Sequence, residues 1–332
     1  MSSRPRVLSG IRPTGAGFQL GNYLGAVRNW AQMQDENECF YFVANLHAMS
    51  EDFEPKTLRR RTHESVAELL AMGIDATKST VFVQSHIPEH AELAWVFNCL
   101  TGIGEASRMT QFKDKSAGPG FVSVGLLTYP ILQAADILIY QADAVPIGED
   151  QRQHLELTRD LAQRFNSRYG ETFTLPGAYA PKQGERIKDL QLPEKKMSKS
   201  LGGQGTLWVL DEPAVLVKKI KSAVTDTGRE VVFDVGAKPG VSNLLTILSV
   251  ATGKAVPELE AAYAGKGYGD FKADVAEAVV ELFGPVRDRY AELIADPDGL
   301  DDILQAGAVR AREVAGNTMS AVRERVGLLP AR

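Results

Sequence analysis

Cysteine is nearly absent from this chain of 332 residues. Cys39 and Cys99 stand far apart in apolar surroundings, without the paired spacing of a zinc site or a disulfide framework. A disulfide scaffold is thereby excluded, and two free core thiols in a reducing cytoplasm are expected. Long apolar runs are missing too. The most apolar stretch, Val124 to Tyr140, is interrupted by Gln133 and Asp136, so it reads as a buried helix and not as a membrane span. The start, Met1-Ser2-Ser3-Arg4-Pro5-Arg6, passes directly into Val7-Leu8 without the apolar core of a signal peptide. Positive charge is not in excess: the formal net charge is −5, and from Asp211 onward fifteen Lys and Arg face nineteen Asp and Glu. A protein drawn to nucleic acid by its overall field is excluded, and any RNA contact must rest on local patches.

What is present is enough to bury a large core. With 44% hydrophobic and 24% charged residues, a chain of this length is expected to divide in two. The N-terminal part alternates strand and helix signals. Arg6 to Ile11 reads as a strand that enters the turn-rich Arg12-Pro13-Thr14-Gly15-Ala16-Gly17. Leu20, Leu24, Val27 and Ala31 then mark one face of a helix. The order strand, glycine loop, helix aims backbone N–H groups at whatever lies above the strand, a common way to hold a nucleotide. Gly21 leaves room for a close approach there, and Asn22 offers an amide.

Phe40 to Asn45, Thr80 to Gln84 and Ala144 to Gly148 read as further strands, with helices over Pro55–Met72, Glu89–Leu100 and from Gln151 to about Asn166. This β-α-β-α-β order predicts a parallel sheet wound with helices, whose ligand site lies at the C-terminal strand ends. That edge would gather Arg12 to Thr14, His47 and Gln84. The segment between Met109 and Gly125 reads as a basic mobile loop. In the helix after it, Tyr129 and Asp136 are two turns apart and share a face. Asp136 in this apolar setting needs a partner, which is either a structural donor or a ligand N–H. From Asp211 onward the periodicity is helical throughout, ending in a helix from about Leu300 to Val326 that could pack back on the first domain.

One short segment stands out: Lys196-Met197-Ser198-Lys199-Ser200, followed by Leu201-Gly202-Gly203. Two ammonium groups, two hydroxyls and a bendable glycine pair suit a polyphosphate, although the same residues also fit a solvated turn.

Several segments occurring together carry a resemblance. They are Ser9-Gly10-Ile11-Arg12-Pro13-Thr14, Leu20-Gly21-Asn22-Tyr23, Arg108 to Lys113, Thr128-Tyr129-Pro130 with Ala134-Ala135-Asp136, Gly148-Glu149-Asp150-Gln151, and Lys196 to Ser200. In this order they resemble the bacterial tryptophanyl-tRNA synthetases, class I aminoacyl-tRNA synthetases, over nearly the whole chain. The resemblance implies a Rossmann-like catalytic domain at 1–210 and a helical anticodon-binding domain at 211–332. It also implies a cytoplasmic homodimer that joins L-tryptophan to tRNA(Trp) using ATP, with Mg²⁺ arriving on the nucleotide and no protein-bound metal cluster. Arg12, Pro13, Thr14, Gly21, Asn22, Gly148, Glu149, Asp150 and Ile187 would line the ATP site. Lys196, Met197, Ser198, Lys199 and Ser200 would close over the phosphates, helped by Lys115. Asp136 would accept the indole N–H, and Tyr129, His47, Gln133 and Gln151 would hold the rest of the tryptophan. Two departures stand out: Gln19 occupies a place where the class usually carries histidine or threonine, and Gln133 one where some relatives have methionine. Gln19 motivates the alternative of a catalytically weakened, tryptophan-binding regulatory or auxiliary paralogue.

Overall fold

The computed structural model describes residues 4–13, 17–116, 118, 121–148, 151–179, 187–198 and 203–329. Five strands form one parallel sheet in the order β3-β2-β1-β4-β5, with β1 at Arg6–Ile11, β2 at Glu38–Val43, β3 at Thr80–Val83, β4 at Ala144–Pro146 and β5 at Gly177–Tyr179. Side chains alternate across it. Val7, Tyr41, Val43, Val81 and Val83 enter one apolar cluster; Leu8, Phe40, Phe42, Phe82 and Val145 enter the other. Both faces are therefore buried, which is why these strands read as continuous apolar runs.

The chain moves outward from β1 to β2 to β3, then returns to the other side of β1 with β4. The strand order thus reverses between β1 and β4, where a crevice opens at the C-terminal strand ends. The Val124–Leu138 helix roofs this crevice. Its start is fixed by Ser123, whose Oγ accepts from the Leu126 N–H at 3.0 Å and donates to the Ser50 carbonyl at 2.9 Å.

Four sequence expectations need correction. Cys39 is buried, but Cys99, expected in the core, is exposed. The stretch read as a loop between Met109 and Gly125 contains a helix at Thr110–Ser116. Phe112 packs against the core there and Gln153 Oε1 caps the Thr110 N–H, so tertiary contacts outweigh the glycine-rich sequence that follows. β5 was unforeseen, because three residues behind Pro176 carry no periodicity. The C-terminal part is not helical throughout either. Helices span Pro213–Lys221, Pro239–Thr252, Val256–Ala262, Tyr268–Ala295 and Pro297–Val326. Residues 223–238 form a non-helical crossing pinned by Tyr268, whose hydroxyl lies 2.8 Å from both Asp226 and Lys238.

The last helix lies against the edge strand β3. Gly307 touches it so closely that a Cβ would sit 1.7 Å from the Val81 carbonyl oxygen. Arg310 donates to the carbonyls of Ala76 and Ser79, and Arg323 forks onto the Glu92 carboxylate.

Candidate active site

The crevice holds a cavity of about 380 Å³ whose lining includes Arg12, His47, Gln111, Tyr129, Gln133, Asp136 and Gln151. Its floor is apolar, from Leu8, Phe42, Val145 and Ile147. Gly10 is part of that floor because the Phe42 ring lies over it, 2.5 Å from where a Cβ would stand. Tyr129, Gln133 and Asp136 fall at i, i+4 and i+7 of the roofing helix and form one stripe facing the cavity.

Asp136 is 1% exposed and ionised. Three side chains from three elements meet its carboxylate. His47 Nε2 lies 2.7 Å from Oδ2, Gln84 Nε2 donates to Oδ1 at 2.8 Å, and His90 Nδ1 lies 2.6 Å from Oδ1. Burial alone would raise the carboxyl, but the charge and hydrogen bond of His47, with the hydrogen bond of His90, hold it down to about 2. Behind it, His90 Nε2 lies 2.8 Å from Tyr140 Oη. The carboxylate orients the ring: Nδ1–H donates to Asp136, and Nε2 faces the Tyr140 hydroxyl. Burial, and then the Asp136 charge, push the Tyr140 hydroxyl upward, so it stays protonated.

A second polar chain starts from the same helix face. Tyr129 Oη donates to Gln111 Oε1 at 3.0 Å and lies 3.2 Å from His154 Nε2. His154 Nδ1 is 2.7 Å from Gln151 Oε1, which Gln133 Nε2 approaches at 3.4 Å. Burial first, eased by the Arg12 charge, pushes Tyr129 up to about 12, so its hydroxyl is a neutral donor. The cavity thus pairs an apolar floor with a fixed anionic acceptor and, along the same helix face, a phenol and amides held by His154 behind them.

The five side chains expected for the amino acid, His47, Tyr129, Gln133, Asp136 and Gln151, all line this one cavity. Of those expected for the nucleotide, Arg12 joins them and pairs with Glu51 at 3.2 Å. Pro13 lines an adjoining cleft of about 550 Å³ with Glu51, Phe53, Arg60 and Arg61. Gly21 and Asn22 lie in the first turn of the helix that starts at Leu20. Gly148 is exposed, its carbonyl accepting from the Gln151 N–H at 3.0 Å. Ile187 turns its side chain into the apolar core and gives its carbonyl to the Met197 N–H at 3.1 Å. Lys196 is exposed and bridges antiparallel to Lys188; Met197 is buried and Ser198 half-buried. Thr14, Glu149, Asp150, Lys199 and Ser200, and the side chain of Lys115, lie outside the described residues.

Gln84 was foreseen only as part of the strand edge. Nothing in the sequence alone gives Gln111 or His154 a site role. A signal for His90 existed: a helix-start histidine after Pro88-Glu89, in a chain whose buried Asp136 needed donors.

The family model of class I tRNA synthetases (W and Y) matches residues 1–284. The chain is 57% identical to tryptophan–tRNA ligase 2 of Streptomyces avermitilis, covering 100% of this chain and 99% of that protein. It is 53% identical to the tryptophan–tRNA ligase of Mycobacterium leprae, covering 98% and 97%. Among solved structures, it matches tryptophanyl-tRNA synthetase from Campylobacter jejuni complexed with ADP and tryptophane at TM-score 0.88 and 36% identity, covering 97% of this chain and 100% of that one.

Proposed function

This chain belongs to the class I tRNA synthetases for tryptophan and tyrosine, and from that membership we infer that it acts as a tryptophan–tRNA ligase. It activates L-tryptophan with ATP, releasing pyrophosphate, and passes the aminoacyl group to the terminal ribose of tRNA. The nucleophile of the first step is the tryptophan carboxylate, which attacks the α-phosphate. In the second step a ribose hydroxyl attacks the activated carbonyl and AMP leaves. The protein supplies no covalent nucleophile, so its contribution is positioning and charge stabilisation.

The observation that carries tryptophan as the amino acid is the buried Asp136 carboxylate in the wall of a largely apolar cavity. An indole has one N–H on an apolar body; a fixed anionic acceptor above an apolar floor complements that shape. Phenylalanine offers no donor, and its binding would leave the acceptor without the bond the site is built for. Tyr129, His47, Gln133 and Gln151 hold the remainder of the amino acid. Arg12, Pro13, Thr14, Gly21, Asn22, Gly148, Glu149, Asp150 and Ile187 line the ATP site in this reading, and Lys196 to Ser200, with Lys115, meet the phosphates. Among the described residues no group of three or more His, Cys, Asp and Glu is arranged to hold a metal ion. Mg²⁺ is read as entering on the triphosphate of ATP, as part of the substrate.

The reading extends to assembly and place. Residues 211–332 form the anticodon-binding portion, and the protein works in the cytoplasm as a homodimer. Exposed apolar side chains support self-association: Trp95 is 69% exposed, Ile103 79%, Phe121 96% and Val124 74%. Among the described residues no helix is long and apolar enough to cross a membrane. The direct test is charging of tRNA(Trp) by the purified protein with ATP and labelled tryptophan. Acid-stable tryptophanyl-tRNA is expected; acylation with tyrosine in its place contradicts the assignment.

A further inference from the structure

Gln19 is 3% exposed and both ends of its side-chain amide are engaged by the protein backbone. Oε1 folds back to accept from the Gly21 N–H at 2.7 Å, and Nε2 donates to the Met197 carbonyl at 3.0 Å. The fold-back depends on Gly21, because a Cβ there would lie 3.0 Å from Oε1 and 3.3 Å from Nε2. Met197 is itself held: its side chain is 1% exposed in the core and its N–H donates to Ile187. The backbone around Gln19 grips the far end of the same stretch. The Leu20 N–H donates to the Leu207 carbonyl and the Val209 N–H to the Phe18 carbonyl, each at 2.9 Å, with Gln19 bridging antiparallel to Trp208. Gln19 therefore holds the chain where it enters the lysine segment, through its side chain, while the backbone of its neighbours Phe18 and Leu20 holds it where it leaves.

Resting on the ligase reading, we propose that Gln19 is a positioning residue: it clamps the Lys196-Met197-Ser198 backbone to the start of the nucleotide-binding helix. The amide is spent on two backbone groups, one of them 178 residues from Gln19, and its role is to register one phosphate-binding element against the other. A carboxamide suits this because one planar group presents an acceptor to an N–H and a donor to a C=O. Glutamate keeps the acceptor for Gly21 but sets an oxygen against the Met197 carbonyl; methionine fills similar space and makes neither bond.

The experiment compares the full-length protein with Gln19→Glu and Gln19→Met. Limited trypsin digestion without substrates, mapped by mass spectrometry, reads how often the Lys195 and Lys196 bonds open. Both variants are expected to be cut there several-fold faster, with cleavage at Arg59 to Arg61 unchanged as the control for global unfolding. Pyrophosphate exchange at saturating tryptophan should fall about tenfold in kcat, the size of one lost hydrogen bond, with the KM for tryptophan unaltered. Unchanged digestion at Lys195 and Lys196, or a parallel rise at Arg59 to Arg61, overturns the clamp. Slower exchange with unchanged digestion would give Gln19 a direct contact with the nucleotide and overturn it equally. Absence of tryptophan-dependent exchange by the unmodified protein contradicts the ligase reading, while the digestion still decides the clamp.

Discussion

His90 Nδ1 lies 2.6 Å from Asp136 Oδ1, inside a core where neither side chain reaches solvent, and the far nitrogen of the same ring meets Tyr140. Asp136 is thus oriented from behind by residues that do not line the cavity. His90→Phe keeps a ring in place but removes one donor to Asp136 and strands the Tyr140 hydroxyl. Two buried partners lost together cost about 2 kcal/mol of stability, read as a fall in thermal midpoint. The KM for tryptophan is expected to rise about tenfold in pyrophosphate exchange, with the KM for ATP unchanged; an unaltered tryptophan KM would make His90 purely structural.

Asp136→Asn removes the charge that His47 faces and turns a pure acceptor into a group that is half donor. A hydrogen bond from the indole N–H to a charged acceptor is worth up to about 3 kcal/mol, so kcat/KM for tryptophan should drop by roughly a hundredfold. Discrimination against phenylalanine should fall with it, because phenylalanine gains nothing from the carboxylate. Equal losses for both amino acids would show that Asp136 does not read the indole.

The folded Asp136 carboxyl is held at about 2, below the value of about 4 for an unfolded chain. The unfolded state therefore takes up the proton first as pH falls. The stabilisation from this group is complete above about pH 4 and is lost between about pH 4 and pH 2, a contribution of about 2 kcal/mol. Denaturant midpoints followed from pH 7 to pH 3 should lose less in Asp136→Asn than in the unmodified protein below pH 4. Parallel curves through that window would contradict the shift.

Gly307 lets the terminal helix touch β3, and a Cβ there would lie 1.7 Å from the Val81 carbonyl oxygen. Gly307→Ala should force the helix off the sheet and cost about 3 kcal/mol, despite alanine's better helix propensity. Gly316→Ala, on the same helix with nothing within 4 Å of where a Cβ would stand, is the control and should be neutral or slightly stabilising. Calorimetric midpoints of the two variants check this; a stable Gly307→Ala would contradict the close packing.

Much of this architecture is legible in the sequence. The apolar runs at Val7-Leu8, Phe40 to Val43 and Val81 to Val83 give a sheet buried on both faces, and the shared face of Tyr129 and Asp136 points to a helix beside a site. The partners of Asp136 are less legible. Gln84 and His90 reach it from 52 and 46 residues away, a convergence that only sheet order creates. Gln19 shows the same limit: a glutamine beside a nucleotide signature suggests a phosphate donor, whereas in the fold its amide N–H meets the Met197 carbonyl. The Thr110–Ser116 helix was hidden because the glycines and proline after it dominate the local pattern.

The central claim is selective activation of tryptophan, and exchange of labelled pyrophosphate into ATP tests it most directly. With the unmodified protein, exchange should depend on tryptophan and stay near background with tyrosine or phenylalanine. Exchange supported equally by tyrosine, or none with tryptophan, would contradict it.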